Sequence, residues 1–448
     1  MNINDTIVAA ATPYGYGGIA VVRISGNNAE NIVQKICHHP SAFKNRHATL
    51  VNLYDRSKNP FDSSVVVSFK SPNSYTGEDV IELSCHGNPA IVERTIQTVV
   101  ALGARIAEPG EFTQRAFING KLDLVQAESV ATTIQGEGEK SSQLNHRVLA
   151  GELSIKLKNI KHSIVESLSY IEFELDISED ELLSESLPNI KKGISSALLE
   201  ISKLIDSFDE GRFLNRGATV VITGPPNIGK STLFNALLNE NRAIVSPTPG
   251  TTRDIVDAKV VYDGISVVLF DTAGIRASNE NIESEGIRRA TEKIKTADLV
   301  IKVLGVNQRE TETIKNIKNP SLLVLNKCDL YSKQQIADFH NTTLDCVCIS
   351  AKNGDGINNL KKVIKERLHI SKETSSSVFL ITQRQFDTAR NCSKALKRAQ
   401  KLLKNENKSY ELISIEMREA LGSIDNILGK TTSEDILNNI FSHFCVGK

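Results

Sequence analysis

Hydrophobic positions along the chain fall into three regimes. In the first 120 residues, short apolar runs alternate with polar turns. Thr6–Thr12, Gly18–Ile24, Val65–Phe69 and Val80–Ser84 are predicted strands, and Ile91, Thr95, Val99 and Leu102 place a helical stripe over Pro89–Leu102. From about Leu122 the period lengthens. Leu153, Leu157, Ile160, Ile164, Leu168, Ile171 and Leu175 recur by threes and fours, one face of a long helix. A second such run is Ile190, Ile194, Ala197, Ile201, Leu204 and Phe208, with the acidic Ser178-Glu179-Asp180-Glu181 as an exposed connection between the two.

Between residues 217 and 372 the pattern changes again. Val220–Thr223, Ser266–Asp271, Leu299–Leu304, Leu322–Asn326 and Cys346–Ser350 are apolar runs of strand length separated by helical segments. That alternation predicts a mostly parallel sheet with helices on both faces. The serine-rich Ser371–Ser377 reads as an exit linker, after which helical periods resume at Leu396, Ala399 and Leu402 or Leu403, and at Ile413, Met417, Ala420, Ile424 and Leu428. The expected organisation is a multidomain α/β chain. It has an α+β N-terminal domain (1–120), a helical domain in two parts (121–213 and 375–448), and a nucleotide domain (214–374) inserted between them.

The inserted segment carries the chemistry. Gly224-Pro225-Pro226-Asn227-Ile228-Gly229-Lys230-Ser231 fits G-x-x-x-x-G-K-S and stands between a predicted strand and a predicted helix. Backbone amides of such a loop curl around phosphates, Lys230 reaches the outer ones, and Ser231 holds Mg²⁺. Four further signals follow in order. Gly250-Thr251-Thr252-Arg253-Asp254 suits a switch loop, and Asp271-Thr272-Ala273-Gly274 brings a carboxylate toward Mg²⁺ and a glycine amide toward the γ-phosphate. In Asn326-Lys327-Cys328-Asp329 the last carboxylate accepts from guanine N1 and N2, and Ser350-Ala351-Lys352 closes over the base edge. Together they predict a Ras-like P-loop GTPase domain. Where Ras-like enzymes carry a water-orienting glutamine this chain has Ile275, so Glu280, Glu283 or Glu285 must substitute or turnover is slow.

Composition narrows the remainder. The 448 residues exceed one core, and 53 basic against 53 acidic residues leave no global field to recruit nucleic acid or an anionic membrane. Any RNA contact must come from a local patch or a partner. Seven scattered cysteines without a C-x-x-C pair fit neither a disulfide framework nor a zinc site. No leader-like or membrane-length apolar segment is present, so a cytoplasmic protein with no membrane partner is expected. Arg23, Gly77–Glu82 and Phe117–Asp123 each read as solvated edges, with a small-molecule pocket the alternative, and Phe444–Lys448 reads as a frayed end.

Several strings outside the nucleotide motifs resemble the tRNA-modifying GTPase family MnmE, also called TrmE. They are Asp5-Thr6-Ile7-Val8-Ala9, Gly17-Gly18-Ile19-Ala20, Arg23-Ile24-Ser25-Gly26, Tyr75-Thr76-Gly77-Glu78-Asp79, Pro109-Gly110-Glu111-Phe112-Thr113, Arg115-Ala116-Phe117, Lys121-Leu122-Asp123-Leu124 and the closing Cys445-Val446-Gly447-Lys448. The resemblance spans essentially the whole chain. It implies a homodimer held by N-terminal domains that bind a tetrahydrofolate derivative (5-formyl or methylene) through Arg23, Glu82, Lys121 and Lys448. It also implies a functional cysteine at Cys445.

For hydrolysis, the resemblance implies potassium bound by Asn227, Ser246, Thr248 and Thr251, with Glu283 orienting water and Lys230 assisting. Mg²⁺ would sit on Ser231 and Thr252. GTP would contact Asn227, Ile228, Gly229, Lys230, Ser231, Thr232, Ser246, Thr248, Thr251, Thr252, Asp271, Thr272, Ala273, Gly274, Asn326, Lys327, Asp329, Ser350, Ala351 and Lys352. The implied activity is modification of the tRNA wobble uridine at carbon 5, with an FAD-dependent MnmG-like partner in a heterotetramer. One departure is Asn88, where the family commonly has glycine; asparagine tolerates positive φ, so the turn should survive. A ribosome-assembly switch GTPase shares all five nucleotide motifs, but the tail, the folate-like N-terminal domain and the neutral charge argue against it. A folate scaffold with a vestigial GTPase is disfavoured by the intact Lys230, Ser231 and Asp329.

Overall fold

A computed structural model describes residues 5–136, 138–176, 186–239, 257–262, 265–271, 292–305, 319–332, 334–336, 346–368, 379–405, 409–442, 444 and 446–448. The Ser178–Glu181 connection, the Ser371–Ser377 linker and Cys445 lie outside them. Two compact units emerge: Met1–Ile134, Val148–Leu199 and Thr388–Lys448 form the first, and Gln135–Arg147 with Glu200–Asp387 the second. Among the described residues no helix is long and apolar enough to cross a membrane.

The first unit opens with a six-stranded sheet. Its strands are β1 (Ile7–Ala10), β2 (Gly17–Ser25), β3 (Thr49–Tyr54), β4 (Pro60–Phe69), β5 (Val80–Gly87) and β6 (Arg105–Ile106), in the order β3-β4-β5-β2-β1-β6. Only β1 and β6 pair in parallel. The two-residue alternation of β2 sends Val22 and Ile24 to one face, where they pack against α1 (Ala29–Cys37) and α2 (Pro89–Ala101). Arg23 points to the other face, directly opposite Glu82 of β5 in the antiparallel register. Asn88 differs from expectation. Its φ is −108°, and its side chain caps α2 by accepting from the Ala90 amide at 2.9 Å. The glycine-requiring residue is Gly87, whose Cβ would stand 2.5 Å from the Gly17 carbonyl oxygen.

A short helix, α3 (Glu111–Ile118), crosses the free side of the sheet and is almost wholly buried, Glu111, Gln114 and Arg115 included. Such burial is tolerable only because the charges pair. Arg115, 1% exposed, donates to the Asp5 carboxylate at 2.5 Å, to Glu111 at 2.9 Å and to both Glu78 oxygens at 3.2 Å. Arg105 adds a second guanidinium to Asp5 and Glu111. Burial by itself would raise the Glu111 carboxyl, but hydrogen bonds from Arg105, the Glu108 amide and Arg115 outweigh it and hold the pKa below the ordinary 4.5. Asp5 is likewise held below 3.8, its partial burial opposed by Arg105 and Arg115.

Beyond α3 come α4 (Leu124–Gln135), α5 (Glu139–Leu149), α6 (Glu152–Asp176), α7 (Ser186–Asp206) and α8 (Phe208–Arg216). The stripe expected to run through Phe208 divides there: α7 stops at Asp206, and Phe208 opens α8, its ring stacked on Phe386 at 4.2 Å. After the second unit's sheet, α11 (Gln383–Leu402), α12 (Tyr410–Leu428) and α13 (Glu434–Ser442) follow. α12 lies along α6, joined by Lys161–Asp425 and Arg418–Glu172 ion pairs. Its C-terminal Gly429 has φ +88°, and a Cβ there would lie 2.6 Å from Leu124 Cβ and 2.7 Å from the Phe117 ring. Phe441 and Phe444 then pack with Leu124, Ala127 and Phe117. The chain's last residues are therefore built in rather than frayed: the Phe112 amide donates to the Lys448 carbonyl at 3.2 Å.

The second unit's sheet has the order β12-β11-β10-β7-β9-β8. Its strands are β7 (Ala218–Thr223), β8 (Asp257–Tyr262), β9 (Ile265–Asp271), β10 (Leu299–Leu304), β11 (Ser321–Leu325) and β12 (Cys346–Cys348). All neighbours are parallel except β8 and β9. α9 (Lys230–Asn239) and α10 (Ile357–Arg367) contribute Leu233, Phe234, Leu237, Leu360 and Ile364 to the core on one face. Val221, Phe270 and Val300 form a smaller cluster on the other.

Two outcomes test this account. Calorimetric unfolding of Asn88→Ala should lose about 1 kcal/mol, the value of an N-cap, which is about 2–4 °C for a unit of this size. Gly429→Ala should lose more, since both its φ and its neighbours must yield. The Asp5 and Glu111 carboxyls have depressed pKa values, so their contribution is complete above the unfolded values of 3.8 and 4.5 and is lost as pH falls through the folded ones. Unfolding temperature of the first unit should thus drop below about pH 4.5. Glu111→Gln should be less stable at neutral pH and show a smaller acid-dependent fall.

Candidate nucleotide and folate sites

The nucleotide face forms where the strands of the second unit end. β7 runs into Gly224, where a Cβ would stand 2.3 Å from the Val303 carbonyl oxygen, so the loop turns against β10 with no room for a side chain. Asn227 adopts φ +60°, a conformation asparagine accepts more readily than most residues. Gly229, at φ +95°, would place a Cβ 2.5 Å from Asn326 Nδ2. α9 then begins at Lys230. Its ammonium is almost buried and donates to the carbonyls of Gly224 at 3.0 Å and Pro225 at 2.9 Å. Those two oxygens occupy the role that phosphate oxygens would take. Ser231 and Thr232 follow in the first turn, exposed, with the helix N-terminus behind them.

Asn326, at the end of β11 and 2% exposed, joins three loops. Its Nδ2 donates to the Ile228 carbonyl at 2.9 Å and its Oδ1 accepts from the Ala351 amide at 3.0 Å. Next to it Lys327, at φ +65°, donates to the Asn227 carbonyl at 2.8 Å. Asp329 stands exposed on a single 3₁₀ turn, its carboxylate available to a base. Ser350 and Ala351 are buried beneath that edge, while Lys352 is exposed. Burial and the neighbouring Cys348 and Cys346 thiols push Cys328 up to about 12; burial and Cys348 push Cys346 up to about 11. Both thiols are thus held protonated near neutral pH, the form that is the weaker nucleophile.

The structure thus brings together Asn227, Ile228, Gly229, Lys230, Ser231, Thr232, Asn326, Lys327, Asp329, Ser350, Ala351 and Lys352. Asp271 ends β9 beside Ile222 of β7, which sets its backbone next to the phosphate loop. Ser246, Thr248, Thr251, Thr252, Thr272, Ala273, Gly274 and Glu283 lie outside the described residues.

On the open face of the first unit, Arg23 Nε donates to Glu82 Oε1 at 2.9 Å. Its guanidinium lies 5.1 Å from the Tyr75 ring centroid and 5.7 Å from that of Phe112. Phe112 in turn receives Lys448 through its amide, and Gly447 is pressed so close that a Cβ would sit 2.0 Å from the Ala10 carbonyl oxygen. Lys121, exposed, donates to the Pro72 carbonyl at 3.0 Å, and its stem packs on Gly77 of the loop that carries Tyr75. Arg23 and Glu82 are thus tied to Tyr75 and Phe112, Lys121 to the loop that carries Tyr75, and Lys448 to Phe112 through its main-chain carbonyl. Tyr75 and Phe112 carry no assignment in the sequence. Nothing in one-dimensional spacing signals that two distant rings meet over one guanidinium.

Residues 6–121 match the family model described as the GTP-binding protein TrmE N-terminus, and residues 124–445 match that of the MnmE helical domain. The tRNA modification GTPase MnmE of Aquifex aeolicus is 36% identical over 451 residues, covering 100% of both chains. Its namesake from Thermotoga petrophila is 38% identical over 453 residues, covering 99% of this chain and all of that one. Among solved structures, a variant of Aquifex aeolicus Era bound to GDP·AlF4⁻ is similar over 42% of this chain and 68% of that one, with 24% identity and a TM-score of 0.28. Matched by both family models and aligned along its whole length with these relatives, the chain belongs to the MnmE family of tRNA modification GTPases.

Proposed function

We propose that the protein is a potassium-stimulated GTPase which, as a homodimer and with an FAD-dependent MnmG-like partner, installs a carboxymethylaminomethyl or aminomethyl group at carbon 5 of the wobble uridine of certain tRNAs. The supporting observation is the convergence of phosphate loop, Asn326-Lys327 and Ser350-Ala351 on one buried carboxamide, in a chain whose full length is shared with tRNA modification GTPases. Residues 214–374 serve in this reading as an inserted G domain within a helical domain formed by 121–213 and 375–448.

On binding GTP, Lys230 would exchange the neutral Gly224 and Pro225 carbonyl acceptors for anionic phosphate oxygens, replacing two ion–dipole hydrogen bonds by ion–ion ones. Ser231 and Thr252 would offer hydroxyls to Mg²⁺, with the Asp271-Thr272-Ala273-Gly274 motif supplying its carboxylate and glycine amide. Asp329 accepts from the guanine N–H edge. Asn227, Ser246, Thr248 and Thr251 would supply neutral oxygens suited to a monovalent cation, whose positive charge would offset the charge that develops during hydrolysis. Glu283 takes the water-orienting role that Ile275 cannot perform. Hydrolysis drives G-domain movement rather than bond formation on the uridine.

In the first unit, the Arg23–Glu82 pair, with the half-buried Tyr75 ring beside it and the buried Phe112 ring behind the guanidinium, combines one aromatic face with a carboxylate that can accept two N–H bonds. That donor set fits the flat, N–H-bearing head of a tetrahydrofolate derivative, with Lys121 and Lys448 as cations for its acidic end. Cys445 belongs to the same closing segment and is assigned to the modification chemistry.

Nucleoside analysis of tRNA from cells lacking the protein is the decisive experiment. Loss of the carbon-5 group at the wobble uridine is expected, and unchanged uridines would sink the reading. GTP turnover should be roughly a hundred- to a thousandfold faster in potassium than in sodium, the scale on which one preorganised electrostatic group acts. Equal rates in the two salts would remove Asn227 from its role.

A further inference from the structure

With 53 basic and 53 acidic residues, the chain has no net charge, so a surface of one sign is a local exception. α11 and the turn after it make one. From Thr388 to Lys404 the sequence contains Arg390, Lys394, Lys397, Arg398, Lys401 and Lys404 but no aspartate or glutamate. Arg390, Lys394, Lys397, Lys401 and Lys404 follow at spacings of four, three, four and three, and all are exposed. At 3.6 residues per turn they fall within an arc of about 80° and span about 21 Å. Ala389, Cys392, Ala395, Leu396, Ala399 and Leu403 are buried behind them. Contacts fix both margins. Arg398 reaches Glu416 and Glu419 of α12 at 2.7 and 2.8 Å, while Gln400 reaches Ser195 of α7 at 3.5 Å. The cationic row therefore faces outward between two neighbouring helices.

Two ordinary explanations fall short. A merely solvated helix face gains from mixed charges a turn apart, whereas like charges there repel. No carboxylate among the described residues pairs with Lys394, Lys397, Lys401 or Lys404. The helix dipole favours cations in the last turn. That accounts for Lys401 and Lys404 but not for Arg390, Lys394 and Lys397, which lie further back along the helix. The row is mainly lysine and has no aromatic residue in it. Such a surface meets phosphates as point charges and has nothing with which to read a base.

We propose that this face of α11 docks the sugar–phosphate backbone of the RNA substrate, independently of its sequence. The inference rests on the tRNA-modifying reading above and adds to it where the RNA is held. The test is equilibrium binding of tRNA to the full-length protein across a salt series, comparing wild type with K394Q/K397Q/K401Q/K404Q and with the matching four-arginine variant. The glutamine variant should bind at least about tenfold more weakly at low salt, with a slope of log K against log salt shallower by about three. The arginine variant should behave as wild type, and GTP turnover and helix content should be unchanged in both. A salt slope equal to that of wild type would overturn the proposal. So would intact tRNA binding with lost binding of the FAD-dependent partner, which would make the face a protein interface. If wild type itself binds no tRNA, the tRNA reading fails and takes this proposal with it, a different result from an unaltered slope.

Discussion

The nucleotide face depends on one buried carboxamide. Asn326 is nearly inaccessible, yet it donates to the phosphate loop through Ile228 and accepts from Ala351 beneath the base edge. Either partner left alone in that position would be an unsatisfied buried polar group, worth about 1–3 kcal/mol. An amide meets both demands at once from two separate atoms, whereas an ionised carboxylate cannot donate and an ammonium cannot accept. Its reach also dictates Gly229, because any side chain there would occupy the space of Nδ2. Two motifs 98 residues apart in sequence are thus one object in space. Lys327 reinforces it by holding the Asn227 carbonyl, which fixes the backbone of the residue assigned to potassium.

The first unit solves an equivalent problem with charge. Arg115 is buried among Asp5, Glu78 and Glu111, and removing any one carboxylate would leave a less compensated buried cation. Glu78 also accepts from Ser25 at 2.8 Å. Three residues earlier on the same loop, Tyr75 shares a hydrogen bond with Thr113 of α3 and lies over Arg23. The ion cluster therefore holds the loop, the loop holds the ring, and the ring shields the Arg23–Glu82 pair. Phe112, from the same helix, contributes the second ring and anchors the Lys448 carbonyl. Proline and glycine ahead of α3 have a structural reason. Gly110 has φ +69° and lies so close to Phe441 that a Cβ would meet its carbonyl oxygen at 2.6 Å.

How much of this the sequence discloses follows from what periodicity can and cannot encode. Elements that bury one face are legible: α6, α11 and α12 keep a clear apolar stripe, and β7, β9, β10 and β11 are continuous apolar runs as a sheet covered on both sides requires. α3 is not legible, because Glu111, Gln114 and Arg115 are as buried as Phe112 and no stripe survives. α1 is short and its Asn28 makes no side-chain cap; β3 is an edge strand with Leu50 exposed. The nucleotide residues were legible because their chemistry is local, a few fixed types at strand ends. Arg23, Glu82, Lys121 and Lys448 were singled out together only through family resemblance, since the rings, loop and tail around them meet through tertiary contacts that spacing does not encode. Asn88 shows the opposite failing: its place was foreseen, but it serves as a cap at negative φ rather than as a tolerated left-handed turn.

Charge neutrality, which seemed to argue against nucleic acid, constrains how RNA is handled rather than whether it is. A protein with no long-range field does not concentrate RNA at a distance. Contact must come from a few phosphates met at short range, and sequence-independent electrostatic binding of that kind is weak at physiological salt, with Kd on the order of 10⁻⁴ to 10⁻⁶ M. A surface of that strength can hold a substrate long enough to be tested and still release it. Selection of one nucleotide must then come from elsewhere, from groups that pair with a base edge or stack on its face. The stripe on α11 has neither, so it can place an RNA but not choose a base within it. Positioning of the RNA backbone is thereby separate from recognition of a base, and it does not require the protein as a whole to be basic.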